Sequence, residues 1–492
     1  MAFALEPYRQ RAEQFAEELS REYYLHLAGH KGDLEIERIY AEHCELFAPD
    51  AVRYLRELSD AAKGGEERRR LRHLLHFGFD GLVGAETRAE SAEIARLEAS
   101  LEIEAKEGAV SYRGVPVEQA NEPDAEQRAA LEEARNALLE ERLNPLHLAA
   151  LERGHELCRE FGWPSYAAAF AELRGIDLEA LCRQTERFLE ATDAAYSPLL
   201  EPELERAGVP SFGELRRSDL PRLFRAPDLD ELFPAERLIA SFSETLAGMG
   251  IDLLAQENIH LDTEARPTKS PRAFCSTPRV PDEVYLVIAP TGGRDDYAAL
   301  FHEGGHAEHY AHAAPGLAFE FRHLGDNTVT ESFAFLLEHL VSTPEWLRDR
   351  LSIHASETVL ARARAIKLLV LRRYSAKLSY ELELHGTAPL GGMRHRYSEA
   401  LAEALHIPWP QASWLADVDG GFYAACYLRA WALEARWRAE LRERFGERWF
   451  SSRAAGGWIS SLWRMGQSLD GAELLAETAG GELDFAELAV AL

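Results

Sequence analysis

The decapeptide FHEGGHAEHY, residues 301–310, sets two histidines four apart with an acid between them. On an α-helix His302 and His306 share a face one turn apart, a spacing that lets both imidazoles ligate one zinc ion. Glu303 lies about 100° round the helix from His302. That offset brings a carboxylate beside a metal-activated water without making it a ligand. The pattern is H-E-x-x-H with Glu303 as general base. Taken alone, it also fits a polar helix face bearing solvated histidines.

A catalytic zinc needs a third protein ligand and an open position. His312 follows His306 by six residues. If the helix continues, it points roughly 240° away from His306, so it is rejected. Glu331, in GDNTVTESFAFLLEHL, is the alternative. The APG tripeptide at 314–316 ends the first helix, and a second begins near Thr328. If that helix runs back antiparallel, Glu331 faces the histidine pair. A rival reading takes Thr328-Val-Thr-Glu331 as a capping box with Glu331 bonded to backbone. Glu338, one heptad further on, is placed to orient a ligand histidine, or is a solvated helix acid. His309 and His312 read as a wet helix face.

Gly304 and Gly305 stand inside the histidine helix, where each costs about 1 kcal/mol relative to alanine. A site shared by two helices explains them. Glycine removes side chains that hold the helices apart and lets a substrate backbone approach.

These residues must be positioned by a largely helical chain. Segments such as EQRAALEEARNALLEERL and RARAIKLLVLRRYSAKLSYELELH carry apolar residues at helical spacing. One stretch differs: DEVYLVIAP, residues 282–290, reads as a strand, with RAFCSTPRV before it as a partner. The expected fold is mainly α, with a small β-sheet beside the histidine helix.

Composition narrows the function. The 492 residues carry a formal net charge of −29 and are 46% apolar. Nucleic acid and anionic membrane surfaces need a basic footprint, so neither is an expected partner. Five scattered cysteines without a CxxC pair argue against a disulfide framework. The N-terminus lacks an apolar signal region, and no apolar run is long enough to span a bilayer. A cytoplasmic location is expected.

HEGGH followed by TESFAFLLE resembles the thimet oligopeptidase and oligoendopeptidase F family of zinc metallopeptidases. FCSTP, the apolar strand and the turn TGGRDDYAAL are similar too, over roughly residues 270–350. LLEHLVSTPEWL also resembles angiotensin-converting-enzyme-like peptidases. The resemblance implies a two-lobed helical body with a deep channel admitting short peptides. It implies one Zn2+ per chain on His302, His306 and Glu331. It further implies that the strand 284–289 offers backbone groups to an extended peptide. Residues 1–155 then form an N-terminal helical lid or lobe, and 156–492 the catalytic region.

The family pattern H-x-x-G-G-Y-x-A-x-Y-Y-x-Y corresponds here to DVDGGFYAACYLRAW, residues 417–431. Asp417 replaces the histidine, Phe422 a tyrosine and Arg429 the last tyrosine. Tyr423, Tyr427 or Arg429 is then the candidate to stabilise an oxyanion, the two tyrosines otherwise being amphipathic core residues. Normal turnover is placed in question by these changes. Oligomeric state is not encoded in any feature of the sequence.

Overall fold

The structure is a computed structural model describing residues 4–106, 108–205, 207–354 and 357–491. Helix makes up 71% of the chain and strand 5%, in two small sheets, so the fold is mainly α. The chain divides into two compact units. The first gathers residues 1–81, 227–360 and 429–483; the second gathers 82–226, 361–428 and 484–492. The division expected at 155/156 falls inside the helix Asn144–Glu160 of the second unit. The first 81 residues belong instead with the segment that carries the histidines. No helix among the described residues is long and apolar enough to cross a membrane. All five cysteines are free.

In the second unit a hairpin of β1 (Glu102–Ala105) and β2 (Gly108–Ser111) buries Ile103 with Tyr112, Val115 and Leu143. These strands were not expected; four residues each is too short for alternation to register.

The first unit holds a three-stranded sheet made of β3 (Ile259–Asp262), β4 (Phe274–Arg279) and β5 (Glu283–Val287). Both expected strands are present, and β3 is an addition. The order is β3-β5-β4. β5 runs parallel to β3, pairing Ile259 with Val284, and antiparallel to β4, pairing Cys275 with Leu286. Being central, β5 spends its backbone groups on both neighbours. That corrects the expectation that it offers them to a peptide; the sheet edges are β3 and β4.

The histidine helix spans Arg294–His312. Asp296 in its first turn accepts from the backbone N–H groups of Thr291 and Gly292, at 2.6 and 2.8 Å, tying down the preceding turn. The glutamate helix spans Asn327–Leu340, and every residue from Thr328 to Leu337 is buried. A helix buried on all sides is a core helix, which explains its place against the histidine helix.

The two helices meet through a glycine. A Cβ at Gly305 would lie 2.6 Å from both Ala334 Cα and Phe333 O. Any larger residue would push the backbones apart. Gly304 faces elsewhere: its Cβ would meet the ring of Phe242 at 2.2 Å. Gly304 therefore seats the helix Ala235–Gly248, not a substrate backbone as expected. Aromatic pairs lock the surroundings. Phe301 is edge-on to Phe242 at 5.1 Å and to Trp346 at 5.0 Å, and Phe333 stacks on Trp437 at 4.7 Å. Such pairs add about 0.5–1.5 kcal/mol each beyond their buried area.

Candidate metal centre

Glu331 meets both imidazoles. Its Oε2 lies 3.4 Å from His302 Nε2 and 3.6 Å from His306 Nε2. One ligand atom from each residue falls within 4.8 Å of the others, and these three form the one such group found among the described residues. Glu331 is only 4% exposed.

The capping reading of Glu331 fails on a specific bond. Asp326 is the N-cap, and its side chain accepts from Thr328 N–H at 2.9 Å. Thr328 is already inside the helix, so the T-x-x-E pattern does not frame a capping box.

The far nitrogens of both rings are engaged as well. His302 Nδ1 donates to Glu338 Oε2 at 2.9 Å. A carboxylate only accepts, so Nδ1 carries the hydrogen and Nε2 is turned toward Glu331. Glu338 thus takes the orienting position rather than that of a solvated acid. His306 Nδ1 is hydrogen-bonded with Thr330 Oγ1 at 2.8 Å. Sequence reading missed Thr330. Its signal was its place next to Glu331, on a helix already suspected of facing the histidines.

Glu303 stands beside the group and outside it. Its Oε2 accepts from Cys275 N–H at 2.8 Å, so strand β4 fixes the carboxylate. No sequence rule pointed to that backbone contact, which depends on the sheet lying against the histidine helix.

The electrostatics agree with a cation site. Burial pushes the Glu303 carboxyl up to about 7, against the opposing pull of His302 and the Cys275 N–H. Burial pushes His306 down to about 4, leaving it neutral and its lone pair available. At His302 burial acts downward too, but Glu331 and Glu338 outweigh it and raise the imidazole to about 10. Two imidazole nitrogens and a carboxylate oxygen that face one another need positive charge at their centre. The raised proton affinity of His302 is the same field acting on a proton. This donor set fits a divalent metal.

No family model matches this chain, and no curated protein does.

The neighbouring histidines are structural. His309 is 1% exposed and packs on Phe333 at 4.8 Å, correcting the expected wet face. His312 bonds through Nδ1 to Glu308 O at 2.9 Å and lies 5.0 Å from the Trp463 ring. Its rejection as a third ligand fits that placement. Glu308 is itself buried, with its carboxyl pushed up to about 8 by that burial and held by Gln256 at 3.0 Å.

The remaining candidates have contacts of their own. The Arg429 guanidinium is 3.8 Å from Asp326 Oδ2, the cap of the glutamate helix. Tyr423 and Tyr427 belong to the second unit. They pack edge to face at 5.0 Å, with Tyr374 5.6 Å from Tyr427 and the Arg174 guanidinium 5.6 Å from the Tyr423 ring centre. Asp417 is taken up by Arg373 and by Tyr397 Oη at 2.8 Å. Burial works to raise its carboxyl, but Arg373 and Lys377 hold it below the usual carboxylate range. Phe422 is fully buried against His385 at 5.3 Å.

Proposed function

We propose that this chain is a zinc-dependent metallopeptidase that hydrolyses short peptides. One observation carries the reading: His302 Nε2, His306 Nε2 and Glu331 Oε2 converge, with the Glu303 carboxylate fixed beside them on the histidine helix. The likeness of HEGGH and TESFAFLLE to the thimet oligopeptidase and oligoendopeptidase F family supports the same conclusion.

His302, His306 and Glu331 are the residues to hold the ion, one per chain. Zinc in such a site supplies a Lewis acid for a scissile carbonyl and brings the pKa of a water toward 7. Glu303 then accepts the water's proton and passes it to the leaving amine. Its carboxyl is pushed toward neutrality, which suits a group that must both take and return a proton. Glu338 and Thr330 keep the two imidazoles aimed. The resemblance offers Tyr423, Tyr427 and Arg429 for oxyanion stabilisation; of these, Arg429 belongs to the unit that holds the metal group, where it pairs with Asp326.

A second reading has its own support. Asp417 stands where the family has a substrate-binding histidine, and it is bound within its unit by Arg373 and Tyr397. A relative that binds zinc and peptides without normal turnover would carry such a change. A mixed peptide pool, digested with and without chelator, separates the two. Zinc-dependent products support the peptidase; saturable binding without products supports the non-hydrolytic relative. Absence of stoichiometric zinc in the purified protein overturns both.

A further inference from the structure

Helical threonines and serines ordinarily turn their hydroxyls back to the carbonyl four residues earlier. Ser332 does so, donating to Thr328 O at 2.6 Å. Thr330, two residues before it on the same helix, does not. Its Oγ1 reaches across to His306 Nδ1 at 2.8 Å. Thr330 is 2% exposed, so this bond is made away from water.

We propose that Thr330 is the positioning residue for His306, and that its hydroxyl reverses its donor direction when a metal is bound. The inference rests on the zinc site of the proposed function.

The two imidazoles are held by different chemistry. His302 meets a carboxylate, which accepts only, so its Nδ1 is always the donor. His306 meets a hydroxyl, which both donates and accepts. Without metal, His306 can place its hydrogen on Nε2, toward Glu331 Oε2, while Thr330 donates to Nδ1. With metal, Nε2 must present its lone pair. The hydrogen then sits on Nδ1, and Thr330 accepts it. No proton is lost: only the hydroxyl orientation and the imidazole tautomer change. A carboxylate in place of Thr330 could not make that exchange. One helix thus supplies a ligand, Glu331, and both partners that aim the histidines, Thr330 and Glu338.

The test uses the full chain stripped of metal and titrated with zinc against a chromophoric chelator. Thr330→Val keeps the shape and removes the hydroxyl; zinc affinity is expected to fall by about 10–100-fold. Thr330→Ser keeps the hydroxyl and is expected to bind as the parent does. The thermal midpoint measured in chelator reports folding separately. Nitrogen-15 spectra of the histidine rings, taken before and after zinc, are expected to show His306 moving from the Nε2–H to the Nδ1–H tautomer. Wild-type affinity in Thr330→Val, or a loss in Thr330→Ser equal to that in Thr330→Val, overturns the role of the hydroxyl. An unchanged His306 tautomer overturns the reversal. Should valine prevent folding, Thr330→Ala replaces it: it removes the hydroxyl without a branched side chain, and unchanged zinc affinity there overturns the role of the hydroxyl. Failure of the parent protein to take up zinc defeats the proposed function itself, a result these variants do not mimic.

Discussion

The Glu303 carboxylate is held by a backbone N–H and pushed up to about 7 by burial. A base acts only when ionised, so kcat/KM is expected to fall as pH drops through that value. A bound cation lowers it further, which places the acid limb at or below about pH 7. A pH–rate profile in excess zinc checks this; a limb well above 7 assigns the step to another group. Glu303→Gln is expected to keep stoichiometric zinc and to lose hydrolysis by at least about 10²–10⁴-fold. Parent-like cleavage by that variant rules Glu303 out as base. Glu338→Gln still accepts from His302 through its amide oxygen but loses the charge. Weaker zinc binding is the expected outcome, read by chelator competition. His302, Glu303, His306 and Glu331 were all legible as letters at fixed intervals, because helical geometry converts spacing into direction. Thr330 was not, since a hydroxyl beside a ligand looks like any helical threonine until the facing ring is known.

At the scale of elements, the contact between the histidine and glutamate helices is set by Gly305. Its added Cβ would strike backbone atoms of Phe333 and Ala334, which cannot rotate away. At Gly304 the obstacle is the ring of Phe242, a side chain and not backbone. Overpacking of this kind costs about 1–3 kcal/mol, against about 1 kcal/mol gained in helix propensity. Gly305→Ala is therefore expected to lower the thermal midpoint more than Gly304→Ala does. It is also expected to weaken zinc binding, because Glu331 recedes with its helix. Equal effects of the two variants contradict this account. The sequence identified the helices and the strands β4 and β5 by period and by β-branched content. It did not identify β3, four residues whose role comes from pairing with β5. It also gave no sign that β5 is central, and that order removes its backbone from any role in binding a peptide.

For the whole molecule, zinc that binds the folded chain and not the unfolded one must stabilise it. The gain is about 2.7 kcal/mol when the free ion is at a hundredfold its Kd. Chelation is expected to lower the unfolding midpoint and zinc to restore it, as read by calorimetry; a midpoint indifferent to both denies a native site. The net charge of −29 supports a preference at longer range. Short basic peptides are expected to be cleaved faster than acidic ones, with the difference shrinking as salt screens the field. Faster cleavage of acidic peptides refutes that preference.

The sequence by itself determined a helical chain, a pair of imidazoles on one helix face, an acid beside them and a carboxylate on a later helix. It could do so because these features depend on local geometry, which repeats every few residues. Only the tertiary structure decided that Glu331 faces the rings while Asp326 caps the helix, and that Gly304 seats Phe242. It likewise decided that His309 is dry, and that strand β4 and Thr330 hold the base and the second histidine. Each of those is a contact between elements remote in the chain, fixed by packing, and no spacing within one element encodes it.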